Sequence, residues 1–179
     1  LEGTRSVRLS GHESGITALG FSTDGKRLAS ASLDRTVRIW DVQELRQLVE
    51  FRGHGYPVGG VAFSPDGEVV ASCSYERPSG GVLGTVHLWN AADGSIIDTL
   101  HGGRKPLVGL AFSPDGSHIA AGSWDFCVFL WNRQGGEPTR CAMPEEGIYN
   151  AVDAVAFSPD GRPVAGASKD RTARIWRAG

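Results

Sequence analysis

The sequence lacks a charge excess of either sign, and it lacks any long hydrophobic run. Its 18 Lys and Arg residues nearly balance 20 Asp and Glu residues, which leaves a formal net charge of −2. This charge gives no reason to expect binding to nucleic acid or to an anionic membrane. No apolar segment approaches the ~20 residues that a membrane-spanning helix needs, and no secretory signal peptide is visible. We therefore expect no nucleic-acid partner and no membrane partner.

Cysteine is also scarce, at three residues: Cys73, Cys127 and Cys141. The number is odd, and no two of them have the close spacing of metal ligands. Cys73 and Cys127 lie in strand-like runs, where a free cysteine behaves as a small buried hydrophobe. Unpaired thiols predict a reducing, cytoplasmic compartment. Because the chain begins at Leu1 and not at a methionine, we also expect a fragment or an excised domain.

No segment has a helical period of apolar residues. Glycine, in contrast, is abundant, with 25 residues in 179, about twice the usual share of ~7%. Many glycines and no helix predict short strands joined by many tight turns.

Four copies of one pattern occupy the chain, and internal repeats of this length are the mark of a repeat architecture. Each copy has a Phe-Ser-x-Asp-Gly segment and ends on a tryptophan. The segments are Phe21–Gly25, Phe63–Gly67, Phe112–Gly116 and Phe157–Gly161, and the tryptophans are Trp40, Trp89, Trp131 and Trp176. The Asp and Gly of each segment, with a Pro before the Asp in three of them, predict a tight hairpin turn. We place the repeats at about 10–52, 53–100, 101–143 and 144–179.

Each repeat predicts a series of short strands. The first is the alternating run before the turn, as in Ile16–Phe21. The second strands are small and apolar: Leu28–Ser32, Val69–Ser74, Ile119–Ser123 and Val164–Ser168. The third strands end on the tryptophans: Thr36–Trp40, Thr85–Trp89, Cys127–Trp131 and Thr172–Trp176. Fourth strands are predicted at Gln47–Arg52, Ser95–His101 and, less clearly, Thr139–Met143. Seven extra residues in the second repeat predict a surface loop at Tyr75–Gly84.

This pattern resembles the WD40 repeat family. The first repeat carries the family pattern nearly whole, from Gly11-His12 to Trp40-Asp41, and the resemblance extends over essentially the entire chain. It implies an all-β fold, namely a β-propeller of four-stranded antiparallel blades with four blades per chain. It also implies a non-catalytic scaffold whose partners are other proteins or peptides, an inference that rests partly on fold analogy.

The family resemblance further implies a buried hydrogen-bonded tetrad of His, Ser or Thr, Asp and Trp in each blade. The first repeat offers all four members, His12, Ser30, Asp34 and Trp40. The second has His54, Ser72 and Trp89 but loses the Asp to its insertion. The third and fourth have other residues at the His and Ser positions: Gly103, Ala121, Ile148 and Gly166. We expect the first blade to be the most rigid, because such networks stabilise only when every member is satisfied.

Four blades are few for this family, whose members usually have seven or eight. We favour a homodimer in which two chains form one eight-bladed ring, since closed symmetric rings are common among homo-oligomers. Residues 4–9 would then be a strand that completes the partner's last blade and covers an open sheet edge. A monomeric four-bladed ring, other assemblies and half of a larger parent propeller are the alternatives.

The sequence offers no catalytic residue, no cofactor site and no metal site. His12 and His54 are explained by the tetrad, and no His or Cys pair has metal-ligand spacing. The segment Gly20–Arg27 resembles a phosphate-binding loop, but it lies in a hairpin and precedes no helix. We therefore predict that the protein is not an enzyme.

The candidate partner-binding residues lie in loops at one face of the propeller, where a rigid scaffold presents function. They are Trp124, Tyr56, Tyr149, Arg104, Lys105 and Lys169. Trp124 is the strongest candidate contact because tryptophan is enriched at interface hot spots; the alternative is that its side chain only covers the top of its blade.

Two other functions stay open. One is a small-molecule-binding or hydrolytic propeller with a channel site near Glu13, Ser14, Asn150 and Asp153. The other is a truncated or engineered half-propeller without an independent function.

Overall fold

A computed structural model describes residues 6–142 and 151–177, and these residues form fifteen strands in four antiparallel sheets. Blade 1 contains β1 (Ile16–Phe21), β2 (Arg27–Ser32), β3 (Val37–Asp41) and β4 (Arg46–Phe51). Blade 2 contains β5 (Gly60–Phe63), β6 (Val69–Glu76), β7 (Leu83–Asn90) and β8 (Ile96–His101). Blade 3 contains β9 (Leu107–Phe112), β10 (His118–Ser123), β11 (Cys127–Asn132) and β12 (Thr139–Ala142). Blade 4 contains β13 (Val152–Phe157), β14 (Pro163–Ser168) and β15 (Ala173–Arg177).

The sheets are arranged as the blades of a β-propeller. Within each sheet the strands pair in chain order, so every blade is a simple meander. The first strands of successive blades lie next to one another, in the order β1, β5, β9 and β13. The first strands therefore lie innermost, and the prediction of an all-β fold of antiparallel blades is confirmed.

The Ser-x-Asp-Gly turns form by one mechanism in all four blades. In blade 1 the Ser22 hydroxyl donates to Asp24 Oδ1 at 2.6 Å, and the Lys26 amide donates to the same oxygen at 3.0 Å. Gly25 takes a positive φ of 69°, which a side chain would disfavour. The Ser22 hydrogen bond is the main reason that the pKa of Asp24 is lowered.

Apolar seams between neighbouring blades make the core. Small residues on β2 of blade 1, Ala29 and Ala31, pack with Val61, Phe63 and the other seam residues contributed by blade 2. The same arrangement recurs between blades 2 and 3 and between blades 3 and 4. No blade buries both of its faces alone, so each depends on its neighbours.

The two end blades each leave one sheet face exposed. On blade 1, Leu19 and Phe21 are 60% and 63% exposed, whereas the equivalent Val61 and Phe63 of blade 2 are 5% and 8% exposed. On blade 4, Ile175 is 73% exposed, although Ile39, its equivalent in blade 1, is fully buried. These two faces carry the same kind of apolar residues as the faces that pack in the seams, but no neighbouring blade covers them in the single chain.

The predicted surface loop at Tyr75–Gly84 is wrong at its ends, because β6 runs on to Glu76 and β7 starts at Leu83, with Tyr75 paired to Gly84. The insertion therefore lengthens a hairpin.

Residues 6–9 form no strand within this single chain, and blade 4 has three strands in the described residues. Residues 4 and 5 lie outside the described range, as does Met143. None of the described segments is a helix that could cross a bilayer.

Candidate protein-interaction surface

The four residues expected to form a tetrad are joined by hydrogen bonds in blade 1. His12 Nε2 lies 2.7 Å from the Ser30 hydroxyl, and the Trp40 indole donates to that hydroxyl at 2.8 Å. His12 Nδ1 lies 2.8 Å from Asp34 Oδ2. The network ties the loop before β1 to β2, to β3 and to the turn between them.

Asp34 is the most heavily bonded member of this network. Its carboxylate also accepts the backbone N–H groups of Glu13 and Thr36 at 2.9 Å each and the Thr36 hydroxyl at 2.7 Å. Burial by itself would raise the pKa of Asp34, but the hydrogen bonds from Thr36, Glu13 and His12 outweigh it and hold the pKa well below its usual value. The charged form is therefore the one that stabilises the folded blade.

We expect Asp34→Asn to lower the free energy of unfolding by ~1.5–3 kcal/mol at neutral pH, the usual contribution of hydrogen bonds to a charged group. A depressed folded-state pKa gives stability above the unfolded pKa of ~4 and loses it as the pH falls below that value. The difference between the variant and the parent should thus shrink from about pH 4.5 downward in denaturant titrations. Asp98→Asn is the control, since Asp98 is exposed and accepts one backbone hydrogen bond. An equal loss in both variants would contradict the assignment.

Blade 2 builds a partial version of the network. His54 Nε2 lies 2.7 Å from the Ser72 hydroxyl, and the Trp89 indole donates to that hydroxyl at 3.2 Å. Glu76 replaces the missing Asp in one respect, since its carboxylate accepts the Gly55 amide at 3.4 Å. However, His54 Nδ1 has no hydrogen-bond partner among the described residues. Burial, helped by the neighbouring His87, lowers the pKa of His54 to about 3.

The remaining blades use other partners. In blade 3 the Asp125 carboxylate accepts the Arg104 amide, and the Trp131 indole donates to the His101 carbonyl at 3.1 Å. Gly103 is required at the His position, because a Cβ there would lie 2.5 Å from Asp125 and φ is +71°. In blade 4, Asp170 accepts the Thr172 amide, while Ile148 lies outside the described residues.

A groove opens at one end of the sheets, which we call the top face. In an antiparallel meander the connections between blades and the turns between second and third strands share this end. The groove has a volume of about 610 Å³ and receives residues from the first three blades. Its apolar lining includes Leu33, Val58, Tyr75, Val82, Leu107 and Trp124, and its cationic lining residues are Arg77 and Lys105.

Two of the six predicted contact residues, Trp124 and Lys105, line the top-face groove. Trp124 is 47% exposed. The Lys169 ammonium lies 5.8 Å from the centre of the Trp124 indole and 3.6 Å from Asp153, so Lys169 borders the same end. Arg104 is exposed next to Lys105. Tyr149 lies outside the described residues.

Tyr56 joins a second aromatic group at this face. Its ring stacks on that of Tyr75 with centres 4.5 Å apart, and the Arg77 guanidinium lies within 6 Å of both rings, at 5.9 and 5.8 Å. Sequence reasoning missed Tyr75 and Arg77 because it placed them in a loop. The β-type residues that flank the insertion could have indicated a longer hairpin.

The residues proposed for a channel site are not brought together in this groove. Glu13, Ser14 and Asp153 are not among its lining residues, and Asp153 pairs with Lys169. Asn150 lies outside the described residues.

Comparison with known proteins settles the family. The sequence model described as "WD domain, G-beta repeat" matches residues 3–41, 45–90, 94–132 and 146–177. The chain belongs to the WD40 repeat family. The predicted count of four repeats is confirmed, and the four stretches together cover most of the chain.

Individual relatives match over short stretches of 50, 42 and 49 residues, about the length of one repeat. A Notchless protein homolog from Arabidopsis thaliana is 44% identical over 28% of this chain and 11% of its own length. A periodic tryptophan protein 2 homolog from Schizosaccharomyces pombe is 48% identical over 24% of this chain and 5% of its own. Transcription initiation factor TFIID subunit 5 from Caenorhabditis elegans is 41% identical over 27% and 8%. This WD40 chain thus spans only a small part of each relative.

Proposed function

We propose that this chain is a non-catalytic scaffold that binds a protein partner through an extended peptide segment in the top-face groove. The observation that carries the proposal is the groove itself, where Trp124, Tyr75 and Leu107 line an apolar floor at the junction of blades. Aromatic and aliphatic anchors around a concave site are the usual centre of a protein interface. The WD40 family membership supports this role.

Charge at the groove indicates the chemistry of the partner. Arg77 and Lys105 line it, Lys169 lies 5.8 Å from the Trp124 ring, and Arg104 is exposed next to Lys105 in the chain. A peptide with apolar anchors flanked by acidic residues would complement both features, because complementary charge steers association and fixes orientation. Arg77 is already held over two tyrosine rings, so less freedom is lost when it binds a carboxylate.

We expect Trp124→Ala to weaken binding of such a peptide by roughly 30-fold or more, the effect of removing an interface hot spot of ~2 kcal/mol. The probe is a fluorescently labelled peptide with a central Leu-x-x-Leu segment and flanking glutamates. Its binding to the chain is measured by fluorescence anisotropy. A peptide with lysines in place of the glutamates should bind at least tenfold more weakly.

Phe126→Ala is the matched control, since Phe126 is an exposed aromatic residue two positions away that does not line the groove. It should bind the peptide like the parent chain. Equal binding by the Trp124 and Phe126 variants would overturn the proposed site, and preference for the lysine peptide would overturn the proposed partner chemistry. Binding of a small apolar molecule with no peptide binding would favour the alternative of a small-molecule propeller, which the groove volume accommodates.

We also propose that two copies of this chain assemble into one eight-bladed homodimeric ring. The supporting observation is the pair of exposed faces, one on blade 1 around Leu19 and Phe21 and one on blade 4 around Ile175. Within the chain, the equivalents of the first face always pack against the equivalents of the second, as Phe63 packs in the seam with Ile39. A second copy supplies both complements at once, and two identical seams then close the ring.

The N-terminal segment has a place in this assembly. The outer edge of β15 has no fourth strand in the described chain, so its backbone groups are open to pairing. We propose that residues 4–9 pair with β15 of the partner copy. A chain lacking residues 1–9 would then associate more weakly than the full chain.

Free thiols support a cytoplasmic location. Cys73, Cys127 and Cys141 are all unpaired. Burial raises the pKa of Cys73 to about 12 and that of Cys127 to about 11, which keeps both thiols protonated and unreactive at neutral pH. We propose a reducing compartment, with neither nucleic acid nor membrane among the partners.

A further inference from the structure

We propose that His54, Glu76 and His87 of blade 2 form a binding site for a divalent transition-metal cation, with zinc as the best fit. The site is separate from the top-face groove and from the exposed seams. Spacing along the chain does not point to this site, because residues 54, 76 and 87 have no metal-type spacing and the hairpin insertion separates two of them.

The three side chains converge in the fold. One ligand atom from each residue lies within 4.8 Å of the others. His54 comes from the connection between blades 1 and 2, Glu76 from the end of β6 and His87 from β7. The lengthened hairpin brings Glu76 to this position, where blade 1 has the tetrad aspartate.

Each histidine keeps one nitrogen free. Within the described chain, His54 Nδ1 and His87 Nε2 are buried and have no hydrogen-bond partner. The two residues are 6% and 8% exposed. A buried nitrogen without a partner costs ~1–3 kcal/mol, and here two such nitrogens belong to rings whose centres are only 4.7 Å apart. A shared cation would satisfy both.

The other nitrogen of each ring is already oriented as in known metal sites. His54 Nε2 lies 2.7 Å from the Ser72 hydroxyl, and His87 Nδ1 lies 3.0 Å from the Thr99 hydroxyl. Metal-bound histidines usually make such a second hydrogen bond, which fixes the ring and leaves the opposite nitrogen as the ligand. Phe51 packs edge-on against both rings, with centres 5.6 and 5.8 Å away.

Two imidazoles and one carboxylate are a ligand set that suits zinc, with a water molecule as the fourth ligand. Tetrahedral zinc places its ligands roughly 3.3 Å apart, given bonds of about 2.0–2.1 Å. The widest pair here would therefore close by up to about 1.5 Å. Glu76 is only half-buried and can supply most of that movement. Burial also lowers the pKa of both imidazoles, which keeps them neutral as ligands must be.

The test is metal binding to the whole chain after removal of metals with a chelator. We expect the parent to bind one Co²⁺ per chain with the visible absorption of a four-coordinate ion, and Zn²⁺ to displace it and raise Tm. His87→Gln should weaken binding by more than about 100-fold, since loss of a supporting hydrogen bond alone costs about 10–100-fold. Glu76→Gln should weaken it as well. Thr99→Val should weaken it by about tenfold with an unchanged spectrum.

The matched control is His101→Gln, which removes an exposed histidine outside the cluster. It should bind Co²⁺ and Zn²⁺ as the parent does. Absence of the Co²⁺ spectrum in the parent, or equal affinity in the His87 and His101 variants, would overturn the proposal. Neither result would bear on peptide binding in the groove, which uses other residues.

Discussion

Replacing Trp89 by alanine is expected to lower the free energy of unfolding by ~3–5 kcal/mol, the usual cost of truncating a fully buried aromatic side chain. Trp89 is fully buried in the seam between blades 1 and 2. Its indole stacks on Phe51 with the ring centres 4.9 Å apart and the planes 5° from parallel, and it donates to Ser72. Alanine would remove the stacking and leave a cavity. It would also remove the indole N–H group that donates to the Ser72 hydroxyl, which is the partner of His54. Denaturant unfolding followed by circular dichroism measures the loss.

Trp124→Ala provides the comparison, because the same substitution is made at a half-exposed position on the top face. Its expected cost is under ~1 kcal/mol, as for most surface substitutions. Trp89→Phe should lie between the two, since it keeps a ring against Phe51 and loses only the indole donor. Similar losses for the Trp89 and Trp124 alanine variants would mean that the blade 1–2 seam contributes little to stability.

The strands could be predicted because the same pattern occurs four times and each copy contains local signals for its strands and turns. The tryptophan of each copy ends a β-branched or apolar run, and the Ser-x-Asp-Gly turn marks the strand before it. Both signals are local, so they depend on propensity and turn chemistry alone. The first strand was predicted at Ile16–Phe21 and is observed there. Several other strand ends are also observed as predicted, such as Ser32 and His101, and the rest within the described residues differ by one or two positions, where pairing with a neighbour decides the boundary.

The candidate sites could be predicted only in part, because they depend on contacts that the repeat does not encode. Trp124 was visible as an unusual residue at a turn. Glu76 was hidden in a predicted loop, although pairing of β6 with β7 holds it next to His54 and His87. Likewise, the stacking of Tyr56 on Tyr75 joins two residues whose positions follow from the longer hairpin. Such convergences need the register of the insertion, which no short-range signal fixes.

The proposed ring makes the second large prediction. Leu19→Asp, Ile175→Asp or both together should raise the dissociation constant of the homodimer by at least about 100-fold, because each places an unpaired carboxylate in a seam that would otherwise be apolar. At micromolar concentration the parent should have the mass of two chains in analytical ultracentrifugation, and each variant the mass of one. Both positions are exposed in the single chain, so neither substitution should disturb its fold.

Ile97→Asp separates the loss of a seam from the general effect of adding charge. Ile97 is also an exposed isoleucine, at 56%, but it lies on β8, the outer strand of blade 2, away from either end face. This variant should remain a dimer.

Because the proposed contact is head to tail, a mixture of the Leu19 and Ile175 variants has one intact seam available, between an unaltered blade 1 and an unaltered blade 4. The mixture should therefore associate into open pairs although neither variant does so alone. A parent that remains a single chain at micromolar concentration, or a mixture that shows no such rescue, would rule out the head-to-tail ring.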